Sequence, residues 1–319
     1  MFRRSLTLLT LMLIAAVAAV AVPPAPSPSP SEAQPELPPI TKAHIRPPNS
    51  PRFLKIAPNK LTSAQAMARI LADHDAYYQN ARQECYRGVR EILIQDLDEV
   101  DKGLRFRKLI HGNLRGKEIA LTFDDGPHPG YTPEILEILR RENIPATFFL
   151  VGSQAEKYPD LVRAELAAGH CVANHTYHHV SLPKIPQLFV ADEIKACGDV
   201  LRAVTGKAPH LFRPPGGEYN RQVAEASSAL GYTMVLWTDD PGDYTSPGEQ
   251  VILQRTLGKA SDGGIILIHD GIRQTINVLP QMIETLKKQG YRFVTVDEMM
   301  RGDPPAKGRV PSRVAQRPH

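Results

Sequence analysis

Residues 118–130, EIALTFDDGPHPG, begin like a buried strand and end like a turn. β-branched and aromatic side chains up to Phe123 are typical of a strand, whereas the Gly and Pro residues after Asp125 are typical of a turn. Two adjacent carboxylates, Asp124 and Asp125, stand at the junction. Because like charges repel, both stay ionised only if a positive charge such as a metal cation lies nearby.

The same pattern recurs along the chain, with short apolar runs that end in polar residues and are followed by amphipathic stretches. Seven such units without the glycine fingerprint of dinucleotide-binding folds predict an α/β protein. We expect a distorted, nearly closed (β/α)7-8 barrel with an N-terminal helical extension. The predicted strands are 118–123, 146–151, 170–175, 210–213, 233–238, 264–269 and 292–296, and the predicted helices are 132–141, 160–168, 191–205, 221–230, 247–259 and 274–289, with Gly169, Gly206, Gly231 and Gly290 as left-handed caps.

The regions outside this pattern predict an exported protein. Residues 1–22 place Arg3 and Arg4 before an apolar run and a small-residue cleavage site, which indicates a signal peptide or an uncleaved membrane anchor. Residues 23–60 form a Pro-rich linker, and residues 61–112 have the apolar spacing of a helical extension. The main domain is predicted over 117–300 and a basic disordered tail over 301–319. We therefore expect an extracytoplasmic location, whether secreted, periplasmic or anchored.

Charge and cysteine content argue against three interpretations: a nucleic-acid-binding protein, a disulfide scaffold and a thiolate zinc site. The formal net charge is +4, and the tail after residue 300, with five basic residues and one acidic one, carries this whole excess. A formally neutral body does not indicate a nucleic-acid-binding protein, which concentrates basic residues on a folded face. The three cysteines are an odd number without a CxxC pair, so neither a disulfide scaffold nor a thiolate zinc site is indicated.

Polar side chains follow several of the predicted strands directly. They are His175 and His179, then Arg213, then Asp243, then His269. Each can also be ordinary, because Asp-Asp-Gly is usually only a turn and an isolated HxxxH is more often an exposed polar turn. A histidine pair four residues apart also lies on one face of a helical turn and can share a metal. The C-terminal ends of parallel strands converge at one mouth, so we expect all these residues to meet there.

The sequences TFDDG, HTYHH, RPP, DPGDY and LIH occur in the same order as in a known family. The chain resembles the polysaccharide deacetylases with a NodB homology domain, carbohydrate esterase family 4, from about residue 117 to 300. The resemblance implies that Asp125, His175 and His179 bind a divalent metal. Two imidazoles and one carboxylate form a zinc shell of the catalytic type, with an open position. Zinc is the expected metal, and cobalt and nickel are alternatives.

The resemblance also assigns the proton transfers. It implies that Asp124 is the general base for the water that the metal activates, and that Arg213 orients this base. His269 corresponds to the general acid that protonates the departing amine, which an amide requires because its anion is a poor leaving group. Asp243 corresponds to the residue that keeps His269 charged.

The substrate contacts show the main departures from the family pattern. The resemblance implies that the Gly216 backbone N–H stabilises the developing negative charge and that Leu267 lines the acetyl pocket. The family often has an aromatic residue after RPP, where this chain has Gly216 and Gly217. Tyr244 stands where the family usually has Trp, and we expect Tyr219 or Tyr244 to supply the missing aromatic wall.

These observations predict a metal-dependent hydrolase that removes N-acetyl groups from an extracellular polysaccharide. Peptidoglycan is the expected substrate, followed by chitin-like polymers and poly-N-acetylglucosamine. An esterase for O-acetyl groups, as in xylan, is an alternative, because the same chemistry cleaves an ester. A non-catalytic glycan-binding envelope module is a second alternative. The expected partner is an acetylated polysaccharide rather than nucleic acid, and the N-terminus offers a membrane tether. The sequence does not specify the oligomeric state.

Overall fold

The computed structural model describes residues 86–302. The predicted signal or anchor (1–22), the linker (23–60), residues 61–85 of the helical extension and the tail after residue 302 lie outside the described residues. Among the helices of residues 86–302, none has the length and apolar character that crossing a bilayer requires.

One sheet of eight strands forms the centre of the described part, and every pairing in it is parallel. The predicted α/β class with a parallel sheet is therefore confirmed. The strands pair in the order β1-β6-β5-β4-β3-β2-β7, and β8 pairs with the start of β2. Their bounds are β1 (Lys108–Leu109), β2 (Glu118–Asp124), β3 (Thr147–Leu150), β4 (Cys171–Asn174), β5 (Leu211–Phe212), β6 (Thr233–Val235), β7 (Gly264–His269) and β8 (Arg292–Phe293).

Residues 86–302 contain nine helices. They are α1 (Val89–Asp101), α2 (Thr132–Glu142), α3 (Gly152–Lys157), α4 (Pro159–Ala167), α5 (Gln187–Thr205), α6 (Arg221–Ala229), α7 (Glu249–Lys259), α8 (Arg273–Lys288) and α9 (Val296–Arg301).

The four predicted cap glycines all have a positive φ of 74–88°, so the left-handed caps are confirmed.

The central strands are buried on both faces, which explains their nearly continuous apolar sequences. Alternate residues of β2 enter two different clusters: Leu121 packs with helix residues such as Val200 and Leu279. Ala120 packs on the opposite face, in a cluster that includes Trp237. We call the second face the inner face. Because side chains alternate along a strand, the residues in step with Ala120 also belong to the inner face.

The segment before β2 differs from the prediction. Helix α1 ends at Asp101, and Gly103 follows with a φ of 72°, a conformation that suits glycine and stops the helix. Residues 108–109 then form β1, which pairs with β6 at Lys108–Met234 and Leu109–Val235. The prediction of a helix up to residue 112 is therefore wrong for its last part.

The near-closure of the barrel stays a prediction. The two ends of the strand path, β1 and β7, share no pairing in the described part of the chain. One isolated bridge, Asp239 to Ile266, connects the segment after β6 to β7.

Candidate active site

The site is built on the ends of two neighbouring strands, β2 and β7. The last residue of β2, Asp124, lies opposite the last residue of β7, His269, in their parallel register. Thr122 and Asp124 are in step with Ala120, so their side chains lie on the inner face. Asp125 follows with a φ of 75°, and this left-handed conformation turns the chain at the strand end. Aspartate tolerates such a conformation better than most residues. The local sequence thus directs Asp124 and Asp125 differently.

Asp125 forms a compact group of donors with two histidines. Its Oδ1 lies 3.0 Å from Nε2 of His179 and 3.5 Å from Nε2 of His175. One donor atom of each residue lies within 4.8 Å of the others, which suits a single metal ion. Burial alone would raise the pKa of Asp125, but the imidazoles of His179 and His175 hold it well below its usual value. A set of two imidazole nitrogens and one carboxylate oxygen matches zinc.

A backbone contact orients His175 toward this group. Its Nδ1 lies 2.8 Å from the carbonyl oxygen of Arg213, so Nδ1 carries the proton and donates it. Nε2 then keeps its lone pair for a metal, as in the usual arrangement of zinc-binding histidines. His178 lies between His175 and His179 in sequence, but its Nδ1 is 2.7 Å from Glu193 instead.

The loop that carries the histidines is not the predicted helical turn. Residues 175–180 are irregular, and Thr176 and His179 have positive φ values of 65° and 56°. The side chain of Asn174 organises this loop, since its Oδ1 accepts from Thr176 N at 2.9 Å and its Nδ2 donates to Ile194 O at 2.7 Å. The four-residue spacing was a useful signal, although its helical interpretation was wrong.

Asp124 is held by a fully buried arginine. Nη1 of Arg213 donates to Oδ1 of Asp124 at 2.7 Å and to Thr122 Oγ1 at 2.8 Å. The other oxygen of Asp124 lies 3.6 Å from Nε2 of His175, beside the donor group of Asp125 and the two histidines. The ion pair with Arg213 thus fixes the position of this carboxylate, as the proposed role of a general base requires.

On the other side of the site, the carboxylate of Asp243 holds His269, just as Arg213 holds Asp124. Its Nδ1 lies 2.7 Å from Asp243 Oδ1, and its backbone N–H donates to Asp243 Oδ2 at 2.8 Å. Thr275, at the start of α8, also donates to Asp243 Oδ2, at 2.7 Å. Burial alone would lower the pKa of His269, but the carboxylate of Asp243, aided by Asp125 and Asp124, raises it to about 9. The buried Nε2 has no hydrogen-bond partner within residues 86–302, so it is available as a proton donor.

The predicted acetyl-pocket residues occupy buried positions. Leu267 is fully buried on the inner face, in the same cluster as Trp237. Gly216 lies in the short 3-10 turn Pro215–Gly217 with a φ of 61°. The turn directly follows Arg213 and Pro214, so the backbone after RPP stays close to the residue that holds Asp124.

The two tyrosines proposed for the sugar groove have different environments. The ring of Tyr244 lies edge-on to His269, with centroids 5.4 Å apart. Tyr219 is only 5% exposed, and its hydroxyl contacts Lys108 Nζ at 3.1 Å and Glu99 Oε2 at 3.2 Å. The prediction that Tyr219 forms an aromatic wall does not agree with this placement, because the ring has almost no free surface for a sugar.

The structure also brings a residue to the site that the sequence pattern did not indicate. Tyr86 stacks on Tyr244 with ring centroids 3.8 Å apart, and it meets His269 edge-on at 5.3 Å. It precedes the recognisable domain, where its sequence neighbours carry no motif. Only the packing of this segment reveals it.

Comparison with known proteins identifies the family. The sequence model "Polysaccharide deacetylase" matches residues 111–235. A peptidoglycan-N-acetylglucosamine deacetylase of Bacillus cereus is 41% identical over 190 residues, which are 58% of this chain and 89% of that protein. The peptidoglycan-N-acetylglucosamine deacetylase PgdA of Listeria monocytogenes is 39% identical over 183 residues, which are 57% of this chain but only 39% of PgdA.

A solved structure supports the same assignment. The crystal structure of a peptidoglycan N-acetylglucosamine deacetylase superposes with a TM-score of 0.60 at 33% sequence identity. The superposition covers 63% of this chain and 95% of that one, and it relates the parallel sheet to the barrel of carbohydrate esterase family 4. With this agreement in sequence and fold, the chain belongs to the polysaccharide deacetylases and is an enzyme of that family.

Proposed function

We propose that the protein is a metal-dependent deacetylase that removes N-acetyl groups from a peptidoglycan-type polysaccharide. One observation carries the proposal: Asp125, His175 and His179 converge beside an arginine-held carboxylate. A carboxylate-held imidazole stands at the neighbouring strand end. A hydrolase for amides needs a base on one side of the acetyl group and an acid on the other.

The donor set supports a resident metal ion. Asp125, His175 and His179 would hold the ion, and His175 is oriented for this by the contact of its Nδ1. We propose zinc ahead of cobalt and nickel. When bound, such an ion polarises a carbonyl group and lowers the pKa of water toward about 7.

The remaining steps belong to the chain itself. Asp124 takes a proton from the attacking water while Arg213 keeps the carboxylate in place. The backbone N–H of Gly216 donates to the acetyl oxygen on which negative charge develops, a role that preorganised amides fill well. His269 gives its proton from Nε2 to the departing amine, and Leu267 packs against the acetyl methyl group.

The names of the relatives support the choice of substrate. Both the Bacillus cereus and the Listeria proteins are named for N-acetylglucosamine units of peptidoglycan, and a chitooligosaccharide deacetylase of Bradyrhizobium is also similar, at 34% identity. The N-terminal 22 residues favour an extracytoplasmic site of action, where such a polymer lies.

A substrate panel with metal control tests the proposal. Acetate release is measured on acetylated peptidoglycan, chitin oligomers and acetylxylan, before and after a chelator, and then after adding zinc or cobalt. We expect release from an N-acetylated glycan that the chelator abolishes and the metal restores. Full turnover in metal-free protein would contradict the metal centre, and release from acetylxylan alone would indicate the O-acetyl esterase.

A further inference from the structure

The segment just before α1 lies against the active-site loop. The backbone N–H of Arg87 donates to the carbonyl oxygen of Gly216 at 3.0 Å. The side chain of Arg87 donates to Gln95 and to the Glu91 carbonyl oxygen of α1, so the segment is held at both sides. Tyr86 is thereby fixed next to the turn that follows the double proline.

This position places an aromatic ring beside the proton donor. Tyr86 stacks on Tyr244 with an interplanar angle of 15°, and it meets the ring of His269 at 87°. Tyr244 also meets His269 edge-on, at 77°. Two rings from segments more than 150 residues apart in the chain thus form one aromatic surface next to His269.

The neighbouring turn cannot supply such a ring itself. Gly216 and Gly217 carry no side chain, and both have a positive φ, of 61° and 68°. A Cβ added at Gly217 would lie 2.6 Å from the ring of Trp237, a distance that no side chain tolerates without displacement. Tyr219 is buried with its hydroxyl on Lys108. Any aromatic wall at this edge of the site therefore has to come from another segment.

We propose that Tyr86, stacked on Tyr244, forms the aromatic wall against which the acetylated sugar ring packs during deacetylation. The proposal rests on the deacetylase function above and names a substrate-binding residue for it. Flat aromatic rings with a polar hydroxyl edge suit the apolar faces and hydroxyl rim of a pyranose. The wall positions the sugar so that its amide nitrogen lies toward His269, and it extends the site beyond the residues of the family motifs.

The test compares two substrates in two variants. Tyr86→Ala removes the ring, and Tyr86→Phe keeps it. The substrates are a tetramer of N-acetylglucosamine and an aryl acetate, which has an acetyl group but no sugar. For Tyr86→Ala we expect KM for the tetramer to rise about tenfold, the size of one lost aromatic contact. The hydrolysis of the aryl acetate should fall much less than that of the tetramer, and Tyr86→Phe should resemble the wild type on both substrates.

Controls separate this role from a structural one. Leu97→Ala changes an exposed side chain of the same N-terminal region, and thermal melting checks that all variants fold. An equal loss on both substrates, or a KM for the tetramer that is unchanged or lower in Tyr86→Ala, would overturn the proposal. If the wild type itself releases no acetate from any N-acetylated glycan, the proposed function fails first and takes this inference with it.

Discussion

Arg213 connects the core of the molecule with its candidate chemistry. Its guanidinium is fully buried, donates to Asp124 and Thr122, and reaches the carbonyl oxygens of Val235 and Leu236 at 3.2 and 3.3 Å. The ring of Phe149 lies 4.0 Å from it. Because every part of this cation has a partner, the charge is tolerated in the interior, whereas a lone buried charge would be strongly destabilising.

The proposed base makes a clear prediction. Asp124→Asn keeps the size of the side chain and a carbonyl oxygen for Arg213, but an amide cannot accept a proton at neutral pH. We expect the zinc content to stay at the wild-type level and kcat to fall by about 10²–10⁴-fold. Metal analysis and acetate release on the same preparation measure both quantities.

A second buried aspartate provides the control for this variant. Burial raises the pKa of Asp239 to about 8, so this group is largely uncharged at neutral pH and loses little when it becomes an amide. Asp239→Asn should therefore keep most of the activity. A loss of zinc in Asp124→Asn would show that Asp124 binds the metal rather than the proton.

The pair of His269 and Asp243 predicts a pH dependence. The acid acts in its protonated form, and its pKa is raised to about 9, so activity should fall as the pH rises through that region. A bound cation would offset Asp125 and Asp124 and move this fall somewhat lower. Asp243→Asn removes the main partner that raises the pKa of His269, so the fall in kcat/KM should shift to clearly lower pH.

The profile of kcat/KM between roughly pH 6 and 10 measures this shift. Asp199→Asn is a matched control, because Asp199 pairs with Lys195 and Arg202 on α5, and its profile should equal that of the wild type. If the fall in kcat/KM at alkaline pH is the same in Asp243→Asn as in the wild type, a group other than His269 causes that fall.

Motif order was sufficient to name the side chains that meet around Asp125, including Arg213 and His269. It could not indicate Tyr86, Asn174 or Thr275. These residues act through packing and hydrogen bonds between segments that are distant in sequence. A single tyrosine or threonine carries no spacing signal, so only the fold reveals them.

At the scale of elements, a clear apolar run predicted its strand correctly, whereas the shortest strands and helices had no recognisable sequence pattern. The run GIILIH predicted β7 with its bounds, because a short, continuous apolar run between turn residues is typical of a strand buried on both faces. Strand β1 has only two residues and depends on its pairing with β6, so no local pattern could indicate it. Helix α3 has six residues and starts at a glycine, which makes it equally inconspicuous.

The glycine that starts α3 predicts a packing effect. A Cβ at Gly152 would lie 2.9 Å from the Cα of Cys197 in α5 and 2.8 Å from the ring of Tyr177. The backbone of α5 cannot move away easily, so Gly152→Ala should lower the free energy of unfolding by about 1–3 kcal/mol.

Gly258 in α7 is the matched control, because an added Cβ there meets no atom within 4 Å. Gly258→Ala should raise the free energy of unfolding by about 0.5–1 kcal/mol through helix propensity alone. Denaturant unfolding of both variants measures the difference. Equal stability of Gly152→Ala and the wild type would show that α3 adjusts freely.

For the molecule as a whole, metal binding and folding should be linked. An ion that binds only the folded chain stabilises it, by about 2.7 kcal/mol at a free concentration one hundred times Kd. The three proposed ligands come from the end of β2 and from the loop after β4, so the unfolded chain does not assemble them. We expect zinc to raise the Tm of the wild type by several degrees, as such a free energy implies.

The ligand variant Asp125→Ala should lose this response together with activity. Its Tm should be the same with and without zinc, as differential scanning calorimetry would record. A Tm shift of equal size in Asp125→Ala would assign the stabilisation to zinc bound elsewhere on the protein.

The buried polar cluster of Lys108, Glu99 and Tyr219 has a practical consequence for dissecting the protein. Lys108 of β1 pairs with Glu99 of α1 and with Asp96, and Tyr219 of the barrel completes the cluster. A truncation to residue 111, where the match to the family model begins, would remove Lys108 and Glu99, the partners of Tyr219. It would also remove β1 and so expose the edge of β6. A recombinant fragment that begins at residue 111 should therefore aggregate more readily than one that keeps α1 and β1.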